Sequence, residues 1–427
     1  MLNKKLLKFN KTKRNFFIYG LGQAFNLLSP LIIAPFIISV CGTEGLGKAG
    51  LGFALSLFLI LIVDYAFDVK ATKQIAENRD FPNKLEQIIN ITLYTKAFLF
   101  VIVLLITLPV LFFVPFLNQE KTLYFFSISI VLAQIFNPVW FFQGIENFKA
   151  VSLLNIGSKS LYVILVFSFL INKMDYIYVN LFLGLSNLTF NISGLFFIKN
   201  KYDFKFLKPN FFEVKKILKN DFSFCASQLF LSARQLSPLV LAGYFLGFSF
   251  AGQYKVMEQV ITLFRTFIQV YLKFFYPSVC YKFIVEKTTG FTFWKQYTFL
   301  NTLLVTLTLF AIFVFSASIL SYFHLSAATI VLINPVFRLS LLVSLFMSLS
   351  LPLEQLMFII NKNKVYIKIT MFVTLINIVL ILILIRKFQF FGIIVPMLIS
   401  EILFIVLYLN YAFFSLKKTI QYENNAQ

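Results

Sequence analysis

Residues 365–386 read VYIKITMFVTLINIVLILILIR, an apolar run broken by one lysine and closed by one arginine. A helix crossing a ~30 Å hydrocarbon layer needs about 20 apolar residues, so this run is a membrane span. The same pattern recurs outward in both directions. Runs at 16–40, 46–68, 89–115, 122–144, 150–172, 176–198, 222–247, 251–277, 296–320, 329–360 and 390–414 meet the criterion. The expectation is an all-α integral membrane protein with about 12 transmembrane helices. The first run is too long for a signal peptide and lacks a small-residue cleavage pattern, so it is read as a span.

Composition agrees. Of 427 residues, 59% are hydrophobic and 13% charged, against about 45–50% and about 25% in soluble domains. Too little polar surface exists to wet a globule of this size, and the apolar residues must face lipid. The formal net charge of +21 invites a nucleic-acid reading. Its distribution argues otherwise. Lys4, Lys5, Lys8, Lys11, Lys13 and Arg14 precede the first span, and Lys199, Lys201, Lys205, Lys208, Lys215, Lys216 and Lys219 fall between the sixth and seventh. Basic clusters in alternate loops mark the cytoplasmic side and favour anionic lipid heads, so no nucleic-acid partner is needed. Both termini are then cytoplasmic. Cys41, Cys225 and Cys280 show neither metal spacing nor a disulfide framework, and no metal or cofactor is expected.

An internal repeat organises the spans. Leu28-Ser29-Pro30-Leu31 with Ala34 recurs as Leu236-Ser237-Pro238-Leu239 with Ala242, and Pro138 and Asn147 recur as Pro352 and Asn361. A period of six spans implies two parallel six-helix halves around a central cavity. The expected halves are 1–198 and 222–427, joined by a basic cytoplasmic connector at 199–221.

The eighth span carries the strongest chemical signal. Lys255, Glu258, Gln259, Thr262, Arg265, Thr266, Gln269 and Lys273 share an arc of about 120° on a helix. The stripe rises about 27 Å, nearly the full apolar thickness. Each mid-bilayer charge costs at least ~2.5–3.5 kcal/mol, so the stripe must meet water or partners. A buried structural network is the plainer explanation. With three bases against one carboxylate, the reading favoured is a net-positive, water-filled substrate cavity. Arg234 in the seventh span and Arg338 in the tenth are expected to join it, with Ser223 and Ser227 on Arg234's face. Tyr19, Gln23, Asn26 and Pro30 give the first span an uncharged polar stripe. Lys96 and Lys159 are nearer the cytoplasmic side, where snorkelling competes at least equally with lining a site. Glu401, alone in the last span, either pairs with a buried base or carries a proton as the ion-coupling group.

Gly45-Leu46-Gly47-Lys48-Ala49-Gly50 matches a phosphate-binding glycine pattern, but it follows a membrane helix, where close helix packing is the better explanation. His324 lies in a short outer loop without ligand partners. No nucleotide site, nucleophile triad or sizeable loop for a catalytic domain is present, so a non-enzyme is expected.

Asn137-Pro138-Val139-Trp140-Phe141-Phe142-Gln143-Gly144-Ile145-Glu146 and Asp64-Tyr65-Ala66-Phe67 resemble segments of the O-antigen flippases. These are the polysaccharide transporters of the multidrug/oligosaccharidyl-lipid/polysaccharide exporter superfamily. Pro352-Leu353-Glu354-Gln355-Leu356 ahead of Asn361-Lys362 supports the likeness, which covers the whole chain in span count and loop pattern. It implies a flippase in the bacterial cytoplasmic (inner) membrane, moving a polyprenyl-diphosphate-linked oligosaccharide outward by alternating access. Membrane lipids and polysaccharide assembly proteins are the implied partners. Alternatives are a drug/cation antiporter of the same superfamily, a lipid II type flippase, and a membrane glycosyltransferase or polymerase.

Overall fold

Glycine and proline punctuate this chain into helices, and the breaks fall where the backbone needs them. The computed structural model describes residues 2–65, 67–205, 207 and 211–424, with side chains at 20, 22–65, 67–205, 207, 211–222, 225–226, 228–230 and 232–412. Tyr19, Ser223 and Ser227 therefore have their side chains outside the described residues, as do the basic N-terminal cluster and Lys417 and Lys418.

In chain order the helices are α1 (Leu2–Asp64), α2 (Phe67–Glu77), α3 (Pro82–Phe113), α4 (Pro115–Asn118), α5 (Lys121–Ile135), α6 (Val139–Gly144) and α7 (Phe148–Phe169). A 3₁₀ turn at Lys173–Tyr178 leads into α8 (Val179–Tyr202) and α9 (Phe211–Leu246). Then come α10 (Phe248–Val285), α11 (Lys287–Val314), α12 (Ser316–Tyr322), α13 (Ala327–Ile359), α14 (Asn363–Phe388) and α15 (Phe391–Asn424). There are no strands among the described residues.

Among the described residues, ten helices are long and apolar enough to cross a membrane by length and composition, so the molecule is a multi-pass membrane protein. The expected number was about twelve, and the difference has two physical sources. The first candidate, Gly22–Asp64, is 43 residues long and takes in most of the two runs expected at 16–40 and 46–68. They are joined at Gly42, whose φ of 76° and ψ of 173° are not helical. The eighth run, inside α10, is not among the ten, its polar stripe making it less apolar than the others. Large side chains left bare, such as Leu105, Phe113, Phe299, Leu307, Phe310 and Ile383, are what helices bathed in lipid present.

The chain forms two compact units, Met1–Ser232 and Ala233–Gln427. Their boundary falls inside α9, beyond the connector expected at 199–221, most of whose residues are helical here.

In the first unit an aromatic knot closes one end. Trp140, Phe141 and Phe142 are buried with Tyr65, Phe67, Ile75 and Leu85. The Phe141 ring meets Tyr202 edge-on at 5.6 Å. Tyr65 donates to the Leu218 carbonyl at 2.7 Å, and Arg79 pairs with Glu146 at 3.0 Å. Higher up, Asn180 donates to the Ala49 carbonyl at 2.9 Å and to Ser127 Oγ at 2.8 Å. A Cβ on Gly52 would stand 2.5 Å from Ser127 Oγ and 2.7 Å from Asn180 Nδ2. Glycine is there for helix contact, and the 45–50 glycine pattern is unbroken helix with no loop to cradle a phosphate.

In the second unit, Pro352 lies inside continuous α13, whereas Pro138 separates α5 from α6. A proline cannot donate to the carbonyl four residues back. That carbonyl, Ser348 O, instead accepts from Asn301 Nδ2 at 3.3 Å and Thr302 Oγ1 at 3.2 Å. Side chains of α11 thus keep α13 intact.

The backbone repeats itself across the chain. Gly42 (φ 76°, ψ 173°) and Gly247 (φ 99°, ψ 170°) have nearly the same conformation. Glu146 (φ 59°) precedes an Asn147 N–H bonded to Phe142 O at 2.8 Å, and Asn361 (φ 57°) precedes a Lys362 N–H bonded to Met357 O at 2.8 Å. Both are six-to-one closures of a helix end. The structural counterpart of Asn361 is therefore Glu146, one residue from the Asn147 that the sequence pairs with it.

Candidate functional site

The stripe on α10 is the less buried side of its helix. Val256, Met257, Val260, Ile261, Phe264 and Ile268 are buried against the second unit, where α10 packs on α11 and α13. Lys255, Glu258, Gln259, Thr262, Arg265 and Thr266 are half-buried, and Gln269 and Lys273 are exposed. Lys255 pairs with Glu258 at 2.7 Å, one turn along the same helix. Thr266 is satisfied internally by the Thr262 carbonyl at 2.9 Å. The Arg265 Nε and the Gln259 Oε1 are buried with no hydrogen-bond partner among the described residues.

Other helices complete the neighbourhood. Arg234 on α9 pairs with Glu401 on α15 at 3.4 Å and stacks over the Phe404 ring at 4.6 Å. Glu401 is 3% exposed and also accepts from Ser350 Oγ on α13. The buried base that the pairing reading calls for is thus Arg234, on another helix. Arg265 lies within electrostatic reach of Arg234, Glu401 and Glu258, and Glu354 within reach of Arg234 and Glu401. Tyr366 donates to Glu354 at 3.0 Å.

Arg234, Lys255, Arg265 and Lys273 are therefore accompanied by Glu258, Glu354 and Glu401. The positive excess is smaller than the stripe alone suggests, because two of the acids come from helices distant in sequence. Arg338 takes different partners: its Nε donates to Ser316 Oγ at 2.8 Å, and its guanidinium lies 4.6 Å from the Phe313 ring centre.

In the first unit, Gln23 and Asn26 are half-buried on α1, and Asn26 lines a polar cavity of about 180 Å³. The other walls hold residues that sequence reasoning passed over, including Gln134, Asn155, Asn187 and Asn191. A signal existed, since Asn180, Asn187 and Asn191 fall on one helical face of α8. Lys159, for which snorkelling and lining a site were both open, lines this cavity half-way along the 22-residue α7. Lys96, left open in the same way, is fully buried and ion-paired with Asp64. Gln134 donates to Asp64 at 3.3 Å, and Asn137 donates to Gln134 at 3.0 Å. The Asp64 and Asn137-Pro138 segments, far apart in the chain, are thus joined by side chains.

The sequence profile of one family, described as "Polysaccharide biosynthesis protein", matches residues 12–279. The chain belongs to that family. This polysaccharide biosynthesis protein is 23% identical over 278 residues to a candidate O-antigen transporter of Escherichia coli (strain K12), covering 65% of this chain and 67% of the relative. A candidate O-antigen transporter of Shigella dysenteriae is 29% identical over 196 residues, covering 44% of this chain and 48% of the relative, about half its length. Among solved structures, an inward-facing multidrug resistance MATE family transporter of the MOP superfamily superposes with a TM-score of 0.70 at 14% identity, over 94% of this chain and 96% of that one. A MOP superfamily transporter from Pyrococcus furiosus, described for the reverse polarity of its binding pocket, gives 0.63 at 15% identity, over 93% and 94%. These likenesses establish the fold: this polysaccharide biosynthesis protein has a MATE-like transporter architecture.

Proposed function

We propose that the chain flips a polyprenyl-diphosphate-linked oligosaccharide, an O-antigen or other surface polysaccharide repeat unit, from the inner to the outer leaflet of a bacterial cytoplasmic membrane. In this reading both termini are cytoplasmic, each compact unit acts as one half of an alternating-access cycle, and no chemistry is performed on the sugar. The observation that carries it is Arg265, whose buried Nε–H lacks a partner among the described residues and lies within electrostatic reach of a second guanidinium, Arg234. A phosphate oxygen satisfies such a donor, and a guanidinium engages phosphate through two parallel hydrogen bonds. The nearby carboxylates make the exchange reversible. The diphosphate competes with Glu401 for Arg234 and is surrendered when the pair re-forms.

The test is export in cells lacking the endogenous transporter. Arg265→Ala should abolish surface polysaccharide with normal membrane insertion, and Arg265→Lys should restore part of it. Normal export by Arg265→Ala would remove the proposal. Glu258, Glu354 and Glu401 favour a second reading, a drug/cation antiporter of the same superfamily. Extrusion of a cationic dye that depends on these acids, with no effect on polysaccharide, would establish that instead.

A further inference from the structure

The cavity of about 180 Å³ inside the first unit has a chemistry unlike the α10 stripe. Its polar lining is mainly the amides of Asn26, Gln134, Asn137, Asn155, Asn187 and Asn191, gathered from α1, α5, α7, α8 and the turn at Asn137. Part of this lining is committed. Asn137 donates to Gln134, Gln134 donates to Asp64, and Asn191 donates to the Ala133 carbonyl at 2.8 Å. The side chains of Asn26, Asn155 and Asn187 make no hydrogen bond among the described residues, so both their donors and their acceptors are available. Lys159 adds one ammonium, without an ion pair among the described residues, and no carboxylate lines the space. Asp64, which reaches this region through Gln134, is engaged by Lys96.

An intramembrane lysine without a counter-ion marks a functional site by default. Free amides donate and accept at once, as hydroxyls do, and the pairing suits a ligand dense in hydroxyls. The lone ammonium calls for one negative charge and repels cations. Size narrows the class further, because pockets that enclose drug-sized ligands run to about 300–1,000 Å³. The space is that of one sugar ring, not of an oligosaccharide.

We propose that this cavity binds a single sugar residue bearing one carboxylate, with its hydroxyls on Asn26, Asn155 and Asn187 and its carboxylate on Lys159. As a statement about cargo the inference rests on the transport reading above; as a statement about binding it stands on the cavity.

The experiment is saturation-transfer NMR on the full-length protein in lipid nanodiscs, with glucuronate, glucose and acetate as probes. Glucuronate should show transfer that falls about ten-fold in Lys159→Gln, the equivalent of one hydrogen bond to a charged group, and about five-fold in Asn187→Leu, the equivalent of one neutral hydrogen bond. Lys159→Arg should retain it, glucose should bind more weakly, and excess acetate should not displace glucuronate. Unchanged transfer in both Lys159→Gln and Asn187→Leu overturns the site, and so does displacement by acetate as effective as by glucuronate. Lys159-dependent binding in a protein that exports no polysaccharide would sink the transport reading and leave the site. Export without such binding would do the reverse.

Discussion

Arg234 and Glu401 form an ion pair within the second unit, with Nη2 3.4 Å from Oε1 and side chains only 16% and 4% exposed. The sequence left Glu401 open between pairing with a buried base and carrying a proton. Its contacts with Arg234 and Ser350 are those that the pairing reading calls for. Breaking a buried pair from one side costs about 3–5 kcal/mol, because the remaining charge is stranded. Glu401→Gln should therefore lower thermal stability in nanodiscs by about 3 kcal/mol, and adding Arg234→Met should recover part of the loss. The response of transport to an imposed pH gradient should not change. A Glu401→Gln protein of normal stability that has lost its gradient dependence would make Glu401 the coupling group instead.

The face of α10 that looks away from its own unit should be reached by water. In a functional cysteine-free chain, single cysteines at Thr262, Thr266 and Gln269 should react with a membrane-impermeant thiol reagent. Cysteines at Val260, Phe264 and Ile268, all buried, should stay unlabelled. Phe267 lies outside the polar stripe, yet it is 41% exposed. Its cysteine distinguishes lipid from water at that border. Equal labelling of the stripe and the buried set would refute the wet face.

Lys96 depends on Asp64. It is fully buried in the first unit and ion-paired with Asp64, while Asp68 lies within electrostatic reach but beyond ion-pair distance. Asp64→Asn should cost about 3 kcal/mol by leaving the buried ammonium only this more distant counter-charge. The double replacement Lys96→Met, Asp64→Leu should cost less than Asp64→Asn alone. Thermal unfolding of the purified variants measures both, and a double variant no more stable than Asp64→Asn would show that this pair is not what holds the site together.

Gly42 and Gly247 should tolerate no side chain for a conformational reason alone. Both have positive φ, and nothing lies within 4 Å of a Cβ built on either. Alanine at each should cost about 1–2 kcal/mol from backbone strain. Gly20→Ala, in helix and with equal space, should be neutral or stabilising. Similar melting temperatures for all three would show that the two positive-φ joints bend without penalty.

Most of the fold was legible because lipid imposes a one-dimensional rule: about 20 apolar residues make a span, wherever they pack. The reading differed in count at α1, where two runs continue through Gly42, and at α10, where the polar stripe outweighs length. The stripe was legible because its residues lie on one helix, whose period the sequence displays directly. The partners of that stripe were not. Glu354 and Glu401 are carried by α13 and α15, and hydropathy records no distance between helices. The amide cavity escaped notice for another reason. Asn155, Asn187 and Asn191 are uncharged, so each disturbs its span too little to draw attention until five segments bring the amides together.

The sequence by itself determined that this chain crosses a membrane many times, which loops carry positive charge, and which side of α10 is polar. Those properties follow from local composition and helical period, and no tertiary contact alters them. Only the tertiary structure decided that Glu401 answers Arg234, that Lys96 answers Asp64, and that Lys159 faces amides without an acid. Charge balance in a low-dielectric interior is set by separations of a few ångströms between helices, and such separations exist only once the helices have packed.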